Sequence, residues 1–198
     1  MDAKLKRRIL KASLVLGACA LLVLIAGALW YQHTFPYGKS HCCSKQLGMA
    51  LLIYAQDHNG AFPSGGPTPE ASLGLLYSNY ADANVLRGKT VPLEVTKRAL
   101  EVDGKLGPES TGWHYVEGLN ESDDSRVAVI WDKVGLGHNG QLIDGGHEVV
   151  FLDGSTQYVS RSAWPKFLED QKQLLAARTE KAQSTKDESA GRLKRKKE

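Results

Sequence analysis

Histidine, aspartate and cysteine are the residue types in this chain that can bind metals or move protons, and their spacing limits what they can do. The six histidines, His33, His41, His58, His114, His138 and His147, form no HExxH pair, so no helix presents two imidazoles to one zinc ion. No GxSxG elbow and no phosphate-binding glycine loop occurs. Asp57-x-Asn59-Gly60 opens like a calcium loop, but the bidentate Glu that would close one is missing, and the segment reads as a helix stop. Asp123, Asp124, Asp132, Asp144 and Asp153 would have to meet through folding to hold calcium, because their spacing matches no ligand pattern. A hydrolase built on Asp132, His138, His147 and Asp153 would need a cleft that gathers them.

Of the three cysteines, Cys19 lies in an apolar run and Cys42 and Cys43 are adjacent. Neighbouring cysteines bridge each other only by distorting the peptide between them. The pair reads as two small apolar residues on a helix, or as links to other chains in an oxidising compartment. CxxC and His/Cys zinc spacings are absent. These patterns point to a non-enzymatic protein with no cofactor, no metal and no small-molecule substrate.

Charge placement excludes a further class. The net charge is +3, but residues 1–11 carry five basic groups and one acid, and residues 178–198 carry eight basic and four acidic groups. The middle, 12–177, has twelve basic and seventeen acidic residues. The basic character therefore belongs to the two ends and makes no nucleic-acid-binding face.

From Ala12 to Trp30 nineteen residues carry no charge, and Ser13 is the strongest polar group. A helix of that length spans roughly the 30 Å hydrocarbon core of a bilayer. The segment 12–31 reads as a transmembrane helix anchored by Leu14, Leu16, Leu21, Leu22, Leu24, Ile25 and Trp30. Lys4, Lys6, Arg7, Arg8 and Lys11 mark residues 1–11 as a cytoplasmic stub, and Trp30 and Tyr31 suit the far interface. A cleavable signal peptide has a shorter apolar region of about 7–15 residues, although Ala26-Gly27-Ala28 offers a small-residue site.

Residues 32–41 form a linker with Pro36 and Gly38, and a helix is expected from Ser40 to His58, with Leu47, Ala50, Leu51, Tyr54 and Ala55 at helical spacing. Gly60 can take the left-handed conformation that ends it. A second amphipathic helix is expected over Ala71 to Tyr80. Strand periodicity follows at Trp113–Val116 and Val127–Trp131, and Glu148–Leu152 and Ser155–Val159 flank Asp153-Gly154, the residues of a tight hairpin turn. Trp164 to Lys181 reads as a C-terminal helix, and 183–198 as a disordered basic tail. The sum is an α+β domain over 42–182, with a helical stem packed on a small antiparallel sheet.

This order of parts resembles the bacterial type II secretion pseudopilins, the prepilin-like proteins that end in an Asp-Gly hairpin. The resemblance rests on Cys43–Tyr54 with Asp57-His58-Asn59-Gly60-Ala61-Phe62-Pro63, on Gly112–Leu119, and on Gly145–Ser155. It implies a single-pass protein of the bacterial inner membrane with an extracytoplasmic domain, which associates with pseudopilin-like subunits as a homo- or hetero-oligomer. The chain is a divergent relative. The peptidase site, Gly followed by Phe-Thr-Leu-Ile-Glu, is replaced by Lys11-Ala12-Ser13-Leu14-Val15, and the family's early Glu has no counterpart. Leu86-Arg87-Gly88-Lys89 stands near the place of the Cys-Pro-Ser of many relatives, and the family's His before Asp-Gly falls at Ile143. The expected function is a subunit of a secretion or related envelope assembly. A membrane-tethered binding module acting alone, and an exported hydrolase, are the alternatives.

Overall fold

The first helix, α1 (Ala3–Thr34), contains the apolar run and continues three residues past the expected span. Its stretch Ile9–Thr34 has a mean hydropathy of 2.5 in its most apolar window, none of it buried by the rest of the protein. The structure, a computed structural model, describes residues 3–39 and 44–195. Ser40, His41, Cys42 and Cys43 lie outside the described residues, and so does the expected start of the stem helix.

The stem is α2 (Ser44–Asp57). Leu47, Ala50, Leu51 and Ala55 recur at helical spacing and are buried, which is what seats the helix on the sheet. Gly48 permits the approach: a Cβ there would lie 2.8 Å from Val150 Cγ1. The helix ends as expected, though two residues share the turn. Asn59 (φ 55°) and Gly60 (φ 82°) are both left-handed, and the Gly60 N–H donates to the Ala55 carbonyl at 2.8 Å. Since Leu47 and Leu51 are spent on the core, the exposed apolar residues of α2 are Met49 and Ile53, one turn apart on the outer side.

The expected helix over Ala71–Tyr80 is broken. α3 (Pro69–Leu73) gives way to a 3₁₀ turn, Gly74–Leu76, and Ser78 is left-handed at φ 65°. Gly74 lies against Leu106, and the chain then folds back through a Tyr77–Ala81 bridge, which a straight helix would not allow. Leu73 and Leu76 are still buried, as their spacing requires. Two short helices follow, α4 (Ala83–Leu86) and α5 (Leu93–Glu101).

Four antiparallel strands make a meander in the order β1 (Trp113–Tyr115), β2 (Ala128–Asp132), β3 (His147–Phe151), β4 (Thr156–Val159). Asp153-Gly154 does sit at the β3–β4 turn. Only Gly154 is left-handed, however, at φ 79°, and its N–H closes the turn on the Phe151 carbonyl at 2.9 Å. Asp153 accepts from the Ser155 N–H at 2.9 Å, and Phe151 N–H pairs with the Ser155 carbonyl. The connection is therefore a three-residue loop with a glycine bulge, one residue longer than a two-residue hairpin.

Trp113, Tyr115, Ile130 and Val150 face α2 in the main core. The opposite face carries Ala128, Val149 and Val159 and is covered by Trp164 and Phe167 of α6 (Trp164–Arg195). That helix continues through most of the segment expected to be a disordered tail.

One side chain ties α6 to the sheet. The register of β2 shifts between Ala128 and Ile130, and Gln171 meets two backbone groups at the start of this strand. Its Oε1 accepts from the Ala128 N–H at 2.8 Å, and its Nε2 donates to the Arg126 carbonyl at 3.1 Å. Gln171 is only 7% exposed. Gln171→Ala leaves both groups unsatisfied and should lower stability by about 2–3 kcal/mol. Thermal denaturation followed by circular dichroism should show Tm falling by roughly 5–10 °C, and an unchanged Tm would refute this role.

Candidate functional site

A buried ionic cluster lies where the end of β2, the start of β3 and the segment after α4 meet. Two glycines make the meeting possible. Gly88 (φ 74°) presses on Gly112, where a Cβ would lie 2.8 Å from the Gly112 Cα. The Gly112 N–H donates to the Arg87 carbonyl at 2.8 Å, Thr111 Oγ1 donates to the Leu86 carbonyl at 2.6 Å, and Trp113 Nε1 donates to the Val85 carbonyl at 2.8 Å. These bonds hold residues 85–90 along β1 and carry Lys89 inward.

Lys89 Nζ stands 2.7 Å from Asp132 Oδ2 and 2.7 Å from Glu148 Oε2, with its side chain 0% exposed. The Trp113 ring centroid lies 5.6 Å from the same nitrogen. One cation thus faces two carboxylates in a nearly buried site, where an isolated charge is very costly. Burial pushes the Asp132 carboxyl up to about 7; Lys89 pulls it back down, and the charge of Glu148 adds to the rise. Asp132 Oδ1 has no hydrogen-bond partner among the described residues. A neutral acid tolerates that vacancy far better than an anion does.

Glu148 titrates the other way. Burial raises its carboxyl, but Lys89, the nearby Ser44 hydroxyl and His138 together hold it below the usual range. Ser44 Oγ acts there from outside full hydrogen-bond geometry. His138 Nδ1 lies 3.4 Å from Glu148 Oε1, and its ring is half-exposed, so it connects the cluster to solvent.

Of the residues weighed for a hydrolase, Asp132 and His138 both reach this cluster, His138 through Glu148. His147 does not. Its Nδ1 bonds the Asp132 backbone carbonyl at 2.8 Å, while its ring stacks on Trp164 across the sheet at 3.9 Å. Burial holds both His147 and His114 below the ordinary imidazole value, and His114 stacks on Trp131 at 4.2 Å. Asp153 stays at the hairpin.

The aspartates considered for calcium are dispersed as well. Asp123 pairs with Arg178 at 2.7 Å, Asp124 with Arg126 at 2.6 Å, and Asp144 with Tyr158. Among the described residues no group of three His, Cys, Asp or Glu side chains could hold a metal ion. The anchor residues Leu14, Leu16, Leu21, Leu22, Leu24, Ile25 and Trp30 are all exposed along α1.

Lys89 and Glu148 had no motif to announce them. A faint signal was available in a lone Lys between Gly88 and the apolar Val91, and in Glu148 at the head of an apolar strand. The fold and the cluster define an α+β domain with a four-stranded antiparallel sheet, carried behind one helix long and apolar enough to cross a membrane. No family model, no curated protein and no solved structure matches the chain.

Proposed function

We propose that the protein is a single-pass, membrane-anchored, pseudopilin-like subunit of a type II secretion or related envelope assembly. Its N-terminus lies in the cytoplasm of a bacterial cell, and its non-enzymatic α+β domain stands outside the inner membrane. The observation that carries this reading is the order of parts: an unburied apolar helix, an amphipathic helix seated on an antiparallel meander, and a closing Asp-Gly hairpin.

Two features fit an anchored subunit. The Leu142 N–H donates to the Thr34 carbonyl at 2.8 Å, which holds the domain against the end of the span. Met49 (59% exposed) and Ile53 (45%) leave α2 a narrow apolar strip for a neighbouring stem, since Leu47 and Leu51 are buried in the core.

The tethered module acting alone is favoured by one observation, the break between α1 and α2. Phe35–Gly38 turns on a Gly38 N–H to Phe35 carbonyl bond at 2.9 Å, so the stem does not extend the membrane helix. Disulfide crosslinking separates the two readings. With Cys19, Cys42 and Cys43 replaced by Ala, Met49→Cys and Ile53→Cys chains in native membranes should each give a crosslinked dimer, the limit for one thiol per chain. A single monomer band would favour the lone module.

A further inference from the structure

We propose that Lys89 and Asp132 become joined by an intramolecular isopeptide bond, with Glu148 as the residue that carries the protons. The proposal rests on the buried cluster and is independent of the membrane reading.

An amine and a carboxylic acid condense to an amide with loss of one water. In solution near neutral pH the pair is instead an ammonium and a carboxylate, neither of which reacts, and each collision is brief. The site removes both obstacles. Lys89 Nζ is held 2.7 Å from Asp132 Oδ2, which places the carboxyl carbon one bond beyond, close to the roughly 3–3.5 Å of a near-attack geometry. The Lys89 and Asp132 side chains are 0% and 2% exposed, so the water that would favour the ions is excluded.

The two carboxyls are also set apart in role. Asp132 is the one raised toward neutrality, and its unpartnered Oδ1 is consistent with an uncharged acid. Glu148 is the one held low, hence anionic, with Oε2 at 2.7 Å from the same nitrogen. Paired groups whose environments push them in opposite directions are how a site sorts an electrophile from a base.

The steps balance as follows. Glu148 takes one proton from the Lys89 ammonium and leaves a neutral amine. The amine lone pair attacks Asp132 Cγ, and the C–N bond forms. Glu148 returns its proton to the departing hydroxyl, the C–O bond breaks and water leaves. Glu148 then takes the second nitrogen proton, and the third remains as the amide N–H. His138, 3.4 Å from Glu148 and half-exposed, gives the proton left on Glu148 a route to solvent. Nothing is oxidised or reduced, and no co-reactant is needed.

The bond would lock the segment after α4 to β2 and close a loop over α5 and β1. A subunit that bears load in an envelope assembly gains most from a link of this kind, because its domain cannot be pulled open at that point.

Mass spectrometry of the full chain, purified from membranes in detergent, tests the idea. The intact mass should fall about 18 Da below the sequence value, one water lost. A tryptic digest should contain a branched peptide joining the Lys89 and Asp132 segments, with no cleavage after Lys89. The branched peptide reads out the bond whatever happens to the N-terminus. Glu148→Gln keeps the shape of the side chain but cannot accept the proton, so it should give only linear peptides while circular dichroism shows a folded chain. Linear peptides from the folded natural chain would overturn the proposal. A branched peptide at full yield in Glu148→Gln would overturn the role of Glu148.

Discussion

Lys89→Ala should strip the domain of a large part of its stability near neutral pH. The substitution leaves Asp132 and Glu148 facing each other in the core with no cation between them. Removing one partner of a buried ion pair costs about 3–5 kcal/mol, against a total stability of about 5–15 kcal/mol for a domain. The isopeptide bond, where it forms, would add to the loss. By loop-closure entropy, a link across a separation of 43 residues is worth about 4 kcal/mol. The triple change Lys89→Met, Asp132→Leu, Glu148→Leu should recover most of the ionic part, since apolar residues of similar volume replace buried charges at little cost. Urea unfolding followed by tryptophan fluorescence measures both. A Lys89→Ala midpoint within about 0.5 M of the natural chain, or roughly 1 kcal/mol, would show that the cluster contributes little.

The same cluster sets a pH dependence in the unlinked protein. Asp132 has a folded value of about 7, above its ordinary 3.8. Its contribution is therefore fully present below about pH 4 and is lost as the pH rises toward 7. Glu148 runs the opposite way: its contribution is present above its ordinary value of 4.5 and is lost as the pH falls below that. Between pH 4.5 and 7 the Asp132 contribution falls as the pH rises, opposed by His114 and His147, whose lowered values make their contribution grow toward pH 6.5. In a linked chain Asp132 no longer titrates, so its opposing share disappears and the histidine contribution is left.

Much of the fold is legible from local pattern, and most of the cluster is not. Leu47, Ala50, Leu51 and Ala55 announce α2 because helical periodicity is a property of neighbouring residues. The strands and their turn are readable for the same reason. Gly154 is found where it was expected, although the loop is one residue longer, since that length depends on cross-strand register. The break in Ala71–Tyr80 depends on Gly74 meeting Leu106, a contact no local pattern reveals. Lys89 is harder still. It sits in a stretch with no periodicity, and its burial depends on Gly88 approaching Gly112 and on two carboxylates 43 and 59 residues away. Asp132 is a candidate in the sequence only as one of five aspartates that folding could gather, just beyond the expected strand Val127–Trp131. Its partners became visible only with the sheet register.

Leu21→Arg combined with Leu22→Arg should remove the protein from the membrane. The two residues stand at the centre of Ile9–Thr34, where the bilayer would be driest. Each change replaces a side chain that favours insertion by about 0.5 kcal/mol with one that opposes it by about 2.5–3.5 kcal/mol. Together they remove roughly 6–8 kcal/mol from insertion, more than the rest of one span can offset. Among the described residues nothing shields these positions, because the window is unburied, so the loss falls on the lipid contact alone. The folded domain begins beyond Thr34 and should be unaffected. After alkaline carbonate extraction the natural chain should remain in the membrane pellet at full length, and the double variant should appear in the supernatant. In the proposed orientation, external protease applied to spheroplasts should digest the domain and spare the basic stub at Lys4–Lys11. Release of the intact natural chain by carbonate would refute the anchor. A shortened natural chain in the supernatant would show instead that the apolar helix is a cleaved export signal.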